Sequence, residues 1–205
     1  MKTLIVKYLP SGIESNTKKI LDLFLAEISN KNSQIETIDL LKNQMPIFDE
    51  NSIQAYYKRN YNEQKLNETE AKLLEKNDAL IAQLKSADIL VMAFPMHNFG
   101  APAAAKAYLD AIVMKGETFD YGKKMMVGKK ALVLFTSGGV YSEDKFNFDY
   151  PNWNSISLMY KANFSFMGFD DSEIIGASLR DESTKEINLN QVKSRLQTIV
   201  SKWYK

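Results

Sequence analysis

Three short segments carry most of the side chains suited to holding a small polar ligand, and each follows an apolar run. The first is Pro10-Ser11-Gly12-Ile13-Glu14-Ser15-Asn16-Thr17. Hydroxyl and amide groups stand here where a helical pattern begins, and free N–H groups at the positive end of a helix attract a phosphate. Ser15 and Thr17 can add hydroxyl donors, whereas Glu14 must point to solvent beside a dianion. The same loop also reads as a plain helix start with Ser15 as its cap.

The second segment is Phe94-Pro95-Met96-His97-Asn98-Phe99-Gly100-Ala101-Pro102. A planar heteroaromatic ring needs apolar cover on its faces and a few donors and acceptors at its edge. Pro95, Met96 and Phe99 can give the cover and Asn98 the polar handle; the alternative is a turn with a buried Met and Phe. The third is Phe135-Thr136-Ser137-Gly138-Gly139-Val140, whose glycines permit close backbone approach to a flat ligand or simply a tight turn. Neither G-x-G-x-x-G nor G-x-x-x-x-G-K occurs. A terminal phosphate monoester therefore suits the first loop better than a bridging pyrophosphate, which favours FMN over a dinucleotide.

The elements that must position these loops alternate in type. Strands are expected over Leu4–Leu9, Gln34–Leu40, Ala87–Phe94, Lys130–Thr136 and Ser172–Ala177. Helices are expected over Thr17–Ser29, Glu68–Ser86, Ala101–Met114, Ser155–Phe166 and Leu189–Trp203, each with apolar residues at helical spacing. Ile20, Leu21, Phe24, Leu25 and Ile28 make the first such stripe. Ala87–Phe94 is almost continuously apolar, as a central strand covered on both faces would be. Residues 41–68 are polar and rich in Asn, Gln and Tyr, and read as a long surface excursion with a short helix or two. An aromatic loop with Tyr141, Phe146, Phe148, Tyr150 and Trp153 precedes the fourth helix.

Five strand–helix repeats imply a parallel sheet with helices on both faces. The expectation is an α/β three-layer sandwich of flavodoxin-like order 2-1-3-4-5, one domain over residues 1–205. Ligands in such sheets sit at the carboxyl ends of the strands near the switch point, where the loops after strands 1, 3 and 4 converge.

Composition removes several classes. With 26 basic and 25 acidic residues the net charge is +1, so no field points to nucleic acid or an anionic membrane. There is no cysteine and one histidine, which excludes disulfides and a thiolate nucleophile and disfavours a metal centre. No apolar run is long enough to span a bilayer and the start reads as a strand, so a cytoplasmic location is expected.

Taken in order, the motifs resemble the FMN-dependent NADH-azoreductases, a branch of the flavodoxin-like quinone reductases. Ala93-Phe94-Pro95-Met96-His97-Asn98-Phe99 is similar to that family's P-M-Y-N-F. The likeness continues through Tyr108-Leu109-Asp110, Gly116-Glu117-Thr118-Phe119-Asp120-Tyr121, Gly128-Lys129-Lys130-Ala131, Thr136-Ser137-Gly138-Gly139 and Phe166-Met167-Gly168-Phe169. The resemblance implies a homodimer with one FMN per subunit at the interface. It implies that residues 95–99 (Pro95, Met96, His97, Asn98, Phe99) and 136–139 (Thr136, Ser137, Gly138, Gly139) hold the ring, and that residues 11–17, with Ser11, Ser15, Asn16 and Thr17, hold the phosphate. It implies two half-reactions by turns: NADH or NADPH reduces the flavin, then a quinone or azo compound takes the hydride from flavin N5. Tyr121, with Phe119, Phe164 and Phe166, is expected to shape the acceptor slot, ordinary packing being the other role for the phenylalanines. His97 is either a proton donor to the acceptor or a packing residue. Lys123, Lys124, Lys129 and Lys130 offer a pyrophosphate contact or, preferably, a solvated basic surface.

The chain departs from that pattern in four places. Tyr8 and Leu9 stand where the family has small hydroxyl residues, which moves the phosphate donors towards Ser11 and Ser15; the loop is shorter; His97 replaces a tyrosine; Ser137 replaces an arginine. The rival readings are a non-enzymatic flavodoxin-type electron carrier, an FMN-binding redox sensor and a hydrolase. The hydrolase is disfavoured because G-x-S-x-G is absent.

Overall fold

The computed structural model describes residues 1–139 and 155–205. Five strands, β1 (Lys2–Lys7), β2 (Gln34–Asp39), β3 (Ile89–Pro95), β4 (Lys130–Ser137) and β5 (Asp171–Ser178), form one sheet in the order β2-β1-β3-β4-β5. Every neighbouring pair is parallel, so this is the flavodoxin-like arrangement expected from the sequence. The helices are α1 (Asn16–Ile28), α2 (Glu50–Tyr56), α3 (Glu68–Ser86), α4 (Ala103–Ile112), α5 (Ser155–Met167) and α6 (Glu182–Trp203). The aromatic loop with Tyr141, Phe146, Phe148, Tyr150 and Trp153 lies outside the described residues.

The alternation of side chains along β3 divides the core in two. Leu90, Met92 and Phe94 pack with α3, α4 and α5 on one face, while Ile89, Val91 and Ala93 pack with α1 and α6 on the other. All six are buried, which is why the run carries no polar residue. At the sheet's edge β2 behaves differently: Ile38 is buried but Ile35 is exposed. In β5, Gly176 lies opposite Phe135 because a Cβ there would stand 2.3 Å from the ring.

Several boundaries differ from the expected ones. α6 starts at Glu182 instead of Leu189, because the Asp181 carboxylate accepts the Ser183 N–H at 2.9 Å and caps the helix. Its first turns bury nothing before Val192, so apolar spacing could not reveal them. Pro102 stands at the N-cap of α4, one residue before the helix proper. β1 ends at Lys7, although Leu9 is buried against the α1–α6 layer. The polar 41–68 excursion holds α2 and a π-helical turn over Tyr57–Tyr61. Lys58–Glu70 and Arg59–Asp78 ion pairs fasten it to α3.

Candidate functional site

The loops after β1, β3 and β4 are sewn together at the carboxyl edge of the sheet. Tyr8 N–H donates to the Ala93 carbonyl at 2.8 Å and Met96 N–H donates to the Thr136 carbonyl at 2.7 Å. Thr17 and Thr136 share a buried hydroxyl–hydroxyl hydrogen bond of 2.6 Å across 119 residues of sequence. Asn16 Nδ2 donates to the Leu179 carbonyl at 3.4 Å, which brings the end of β5 to the same edge.

In the first loop, Gly12–Glu14 is a short 3₁₀ turn. Ser15 is the N-cap of α1, and its Oγ accepts the Lys18 N–H at 3.2 Å. Accepting that bond leaves the Ser15 hydroxyl proton free to donate. The N–H groups of Asn16 and Thr17 lie in the first turn of α1, where a helix offers no internal acceptor. Ser11 and Glu14 are exposed. The side chain of Asn16 is engaged by Leu179 and by Lys19 Nζ, so its backbone is what it can offer an anion.

The second loop is a tight reversal. His97 N–H donates to the Gly100 carbonyl at 3.0 Å and Gly100 N–H donates to the His97 carbonyl at 2.9 Å. Asn98 and Phe99 between them have φ of 47° and 63°, the two left-handed central residues of a type I′ turn. Asparagine visits that region readily, whereas a phenylalanine there costs about 1–2 kcal/mol. The Ser155 hydroxyl at the start of α5 donates to the Phe99 carbonyl and helps to hold this strained residue. Phe99 remains 37% exposed. The His97 ring meets Tyr8 edge-to-face at a centroid distance of 5.7 Å. Two of the chain's departures from the family pattern are thus in contact.

In the third loop, Ser137 Oγ donates to the Gly139 carbonyl at 2.7 Å. Among the described residues, a Cβ on Gly138 would meet Arg180 Nη1, at 4.0 Å. The sequence reading missed Arg180. No pattern in Leu179-Arg180-Asp181 announces its position, which depends on β5 lying beside β4.

Tyr121 is elsewhere. It lies in the connection from the C-terminal end of α4 to the start of β4, which leads to the opposite edge of the sheet. Its ring meets Phe119 at 6.0 Å, and Phe119 stacks on Phe166 at 4.6 Å. A hydrogen bond to Tyr61 holds the Tyr121 hydroxyl above its ordinary pKa. Phe164 is fully buried against Tyr160 and Phe169, as ordinary packing requires. Lys123, Lys124, Lys129 and Lys130 lie in or end that same far connection. Lys129 Nζ donates to the Lys85 and Ala87 carbonyls at the end of α3, and burial lowers its pKa. Lys123 pairs with Asp120.

The converging residues fit FMN. The unfilled N–H groups of α1 suit a phosphate monoester. The half-buried Pro95 and Met96 and the exposed Phe99 suit the ring. Among the described residues no cluster of His, Asp and Glu could hold a metal ion, and no helix is long and apolar enough to cross a membrane.

Residues 1–200 match the model of a family described as "Flavodoxin-like fold". An FMN-dependent NADH:quinone oxidoreductase 1 from Bacillus cereus is 31% identical over 201 residues, spanning 93% of this chain and 91% of the relative. That of Bacillus anthracis is 33% identical over 187 residues, spanning 86% of this chain and 83% of the relative. Among solved structures, an FMN-dependent NADH-azoreductase from Bacillus anthracis str. Ames Ancestor, in complex with FMN, superposes with a TM-score of 0.82 at 29% identity, covering 97% of this chain and 99% of the other. By sequence and by fold, the chain belongs to the FMN-dependent NADH:quinone oxidoreductase family of flavodoxin-like proteins.

Proposed function

We propose that this chain is an FMN-dependent oxidoreductase that passes a hydride from NADH or NADPH to a quinone or azo compound. FMN, when bound, supplies the reversible two-electron chemistry; the protein binds, orients and shields. The Asn16 and Thr17 N–H groups, with the Ser11 and Ser15 hydroxyls, bind the phosphate at the positive end of α1. Pro95, Met96 and Phe99 cover the ring, and the Thr136–Gly139 turn lets backbone approach it. The reaction needs the acceptor and donor to lie flat on that ring by turns, which is an orientation effect.

One observation carries this reading. Three loops from three adjacent strands are hydrogen-bonded into a single surface beside a helix start with unfilled donors. The test is the absorption spectrum of the purified protein, release and identification of its flavin, then NADH oxidation with a quinone. Yellow protein that turns over supports the proposal. Colourless protein that refuses added FMN refutes it, and FMN-loaded protein without turnover points to a carrier or sensor.

The oligomer is a homodimer, and the location cytoplasmic. Support for the dimer comes from Tyr121 in the connection after α4, whose side chain among the described residues meets Tyr61 and Phe119, away from the three loops. A second copy can bring it to its partner's ring, where it shapes the acceptor slot. Tyr121→Phe then changes acceptor KM and kcat while the FMN Kd stays the same, and unchanged kinetics retire the idea. His97, exposed at the rim, donates a proton to the acceptor; a pH–rate profile that His97→Gln leaves unmoved disposes of that role.

A further inference from the structure

The end of β5 brings to this edge a cation that the proposed function does not use. Arg180 is exposed, and its Nη1 stands 4.0 Å from where a Cβ on Gly138 would be. Leu179, just before it, is 2% exposed and accepts the Asn16 Nδ2–H at 3.4 Å. The root of the arginine is therefore fixed to the first residue of α1, while its head lies over the glycine turn after β4. The adjacent carboxylate, Asp181, is occupied by the Ser183 N–H and hydroxyl. Among the described residues Arg180 enters no ion pair.

A guanidinium carries forked donors that suit an oxyanion. Here it stands between a glycine turn and a helix start that already favours negative charge. We propose that Arg180 is a nucleotide-phosphate-binding residue of this site, reaching the phosphate of the flavin nucleotide or a phosphate of the nicotinamide donor. The inference rests on reading the three loops as the FMN cradle.

The test compares wild type, Arg180→Gln and Arg180→Lys. Flavin-free protein is titrated with FMN and with riboflavin, which lacks the phosphate, by quenching of flavin fluorescence. NADH KM, quinone KM and kcat are then measured on the FMN-loaded protein at low and high salt. Arg180→Gln is expected to weaken phosphate binding about three- to tenfold, between a screened ion pair and a charge-assisted hydrogen bond. Lys recovers part of the loss, and salt narrows the gap. Loss for FMN but not riboflavin assigns the flavin phosphate. Unchanged FMN affinity with a raised NADH KM, at constant kcat and quinone KM, assigns the donor. Equal losses for FMN and riboflavin, or no change in any constant, overturn the proposal. A wild-type chain that takes up no FMN sinks the cradle and this inference together. A wild type that matches Arg180→Gln in every constant sinks this inference alone.

Discussion

The hydroxyl pair Thr17–Thr136 offers the sharpest check on how the site is held. Both residues are buried, at 0% and 6% exposure, and their oxygens are 2.6 Å apart. Valine has nearly the same shape as threonine and neither donates nor accepts. Thr17→Val alone leaves the Thr136 hydroxyl buried without this partner, at a cost of about 1–3 kcal/mol; Thr136→Val does the same to Thr17. The double substitution removes both polar groups together and is expected to be close to neutral. For a chain of 205 residues a loss near 2 kcal/mol lowers Tm by about 4–8 °C. Urea and thermal unfolding of flavin-free protein measure all four corners of the cycle. With each single loss at about 1–3 kcal/mol and the double near neutral, the expected coupling is about 2–6 kcal/mol in magnitude, with the double variant more stable than either single one. Additive losses, or single losses below about 0.5 kcal/mol, refute the claim that this bond joins α1 to β4. FMN affinity is a separate readout, expected to fall in all three variants because the loop and the turn lose their common anchor.

Gly176→Ala forces a Cβ to within 2.3 Å of the Phe135 ring, and overpacking of that kind should cost about 1–3 kcal/mol in urea unfolding. Phe99→Gly relieves the left-handed strain at φ 63° while removing the ring. Flavin-free stability should stay within about 1 kcal/mol of wild type, while fluorescence titration shows weaker FMN binding; a large stability loss would count against strain at this turn. Burial opposes ionisation of Asp171, but hydrogen bonds from Lys202 and Trp203 Nε1 outweigh it and hold the carboxyl below its ordinary 3.8. A depressed carboxyl stabilises the fold above the ordinary value, and that contribution disappears as pH falls through the folded one. Asp171→Asn is therefore expected to unfold earlier at pH 7, with the gap closing below about pH 4.

What the sequence determined by itself is the local pattern and its consequences. The apolar run of β3, the helical stripes and the polar turns at strand ends were legible because burial imposes periods of 2 and 3.6 on any chain. Five such repeats left few topologies, so the strand order followed, and with it the convergence of residues 11–17, 95–99 and 136–139. The tertiary structure decided what depends on partners distant in sequence. Ser15 is a cap with a proton to spare, and Thr17 is tied to Thr136 across 119 residues. Phe99 takes a left-handed conformation that an Asn-Phe pair does not advertise, because neighbouring elements, the Ser155 hydroxyl among them, hold it there. Arg180 reaches the site only because β5 lies beside β4, and Tyr121 is carried off because α4 runs back to the other edge of the sheet. Periodicity records which side of an element faces the core. It holds no information on which distant side chain completes a given hydrogen bond, and that is fixed only when the chain closes on itself.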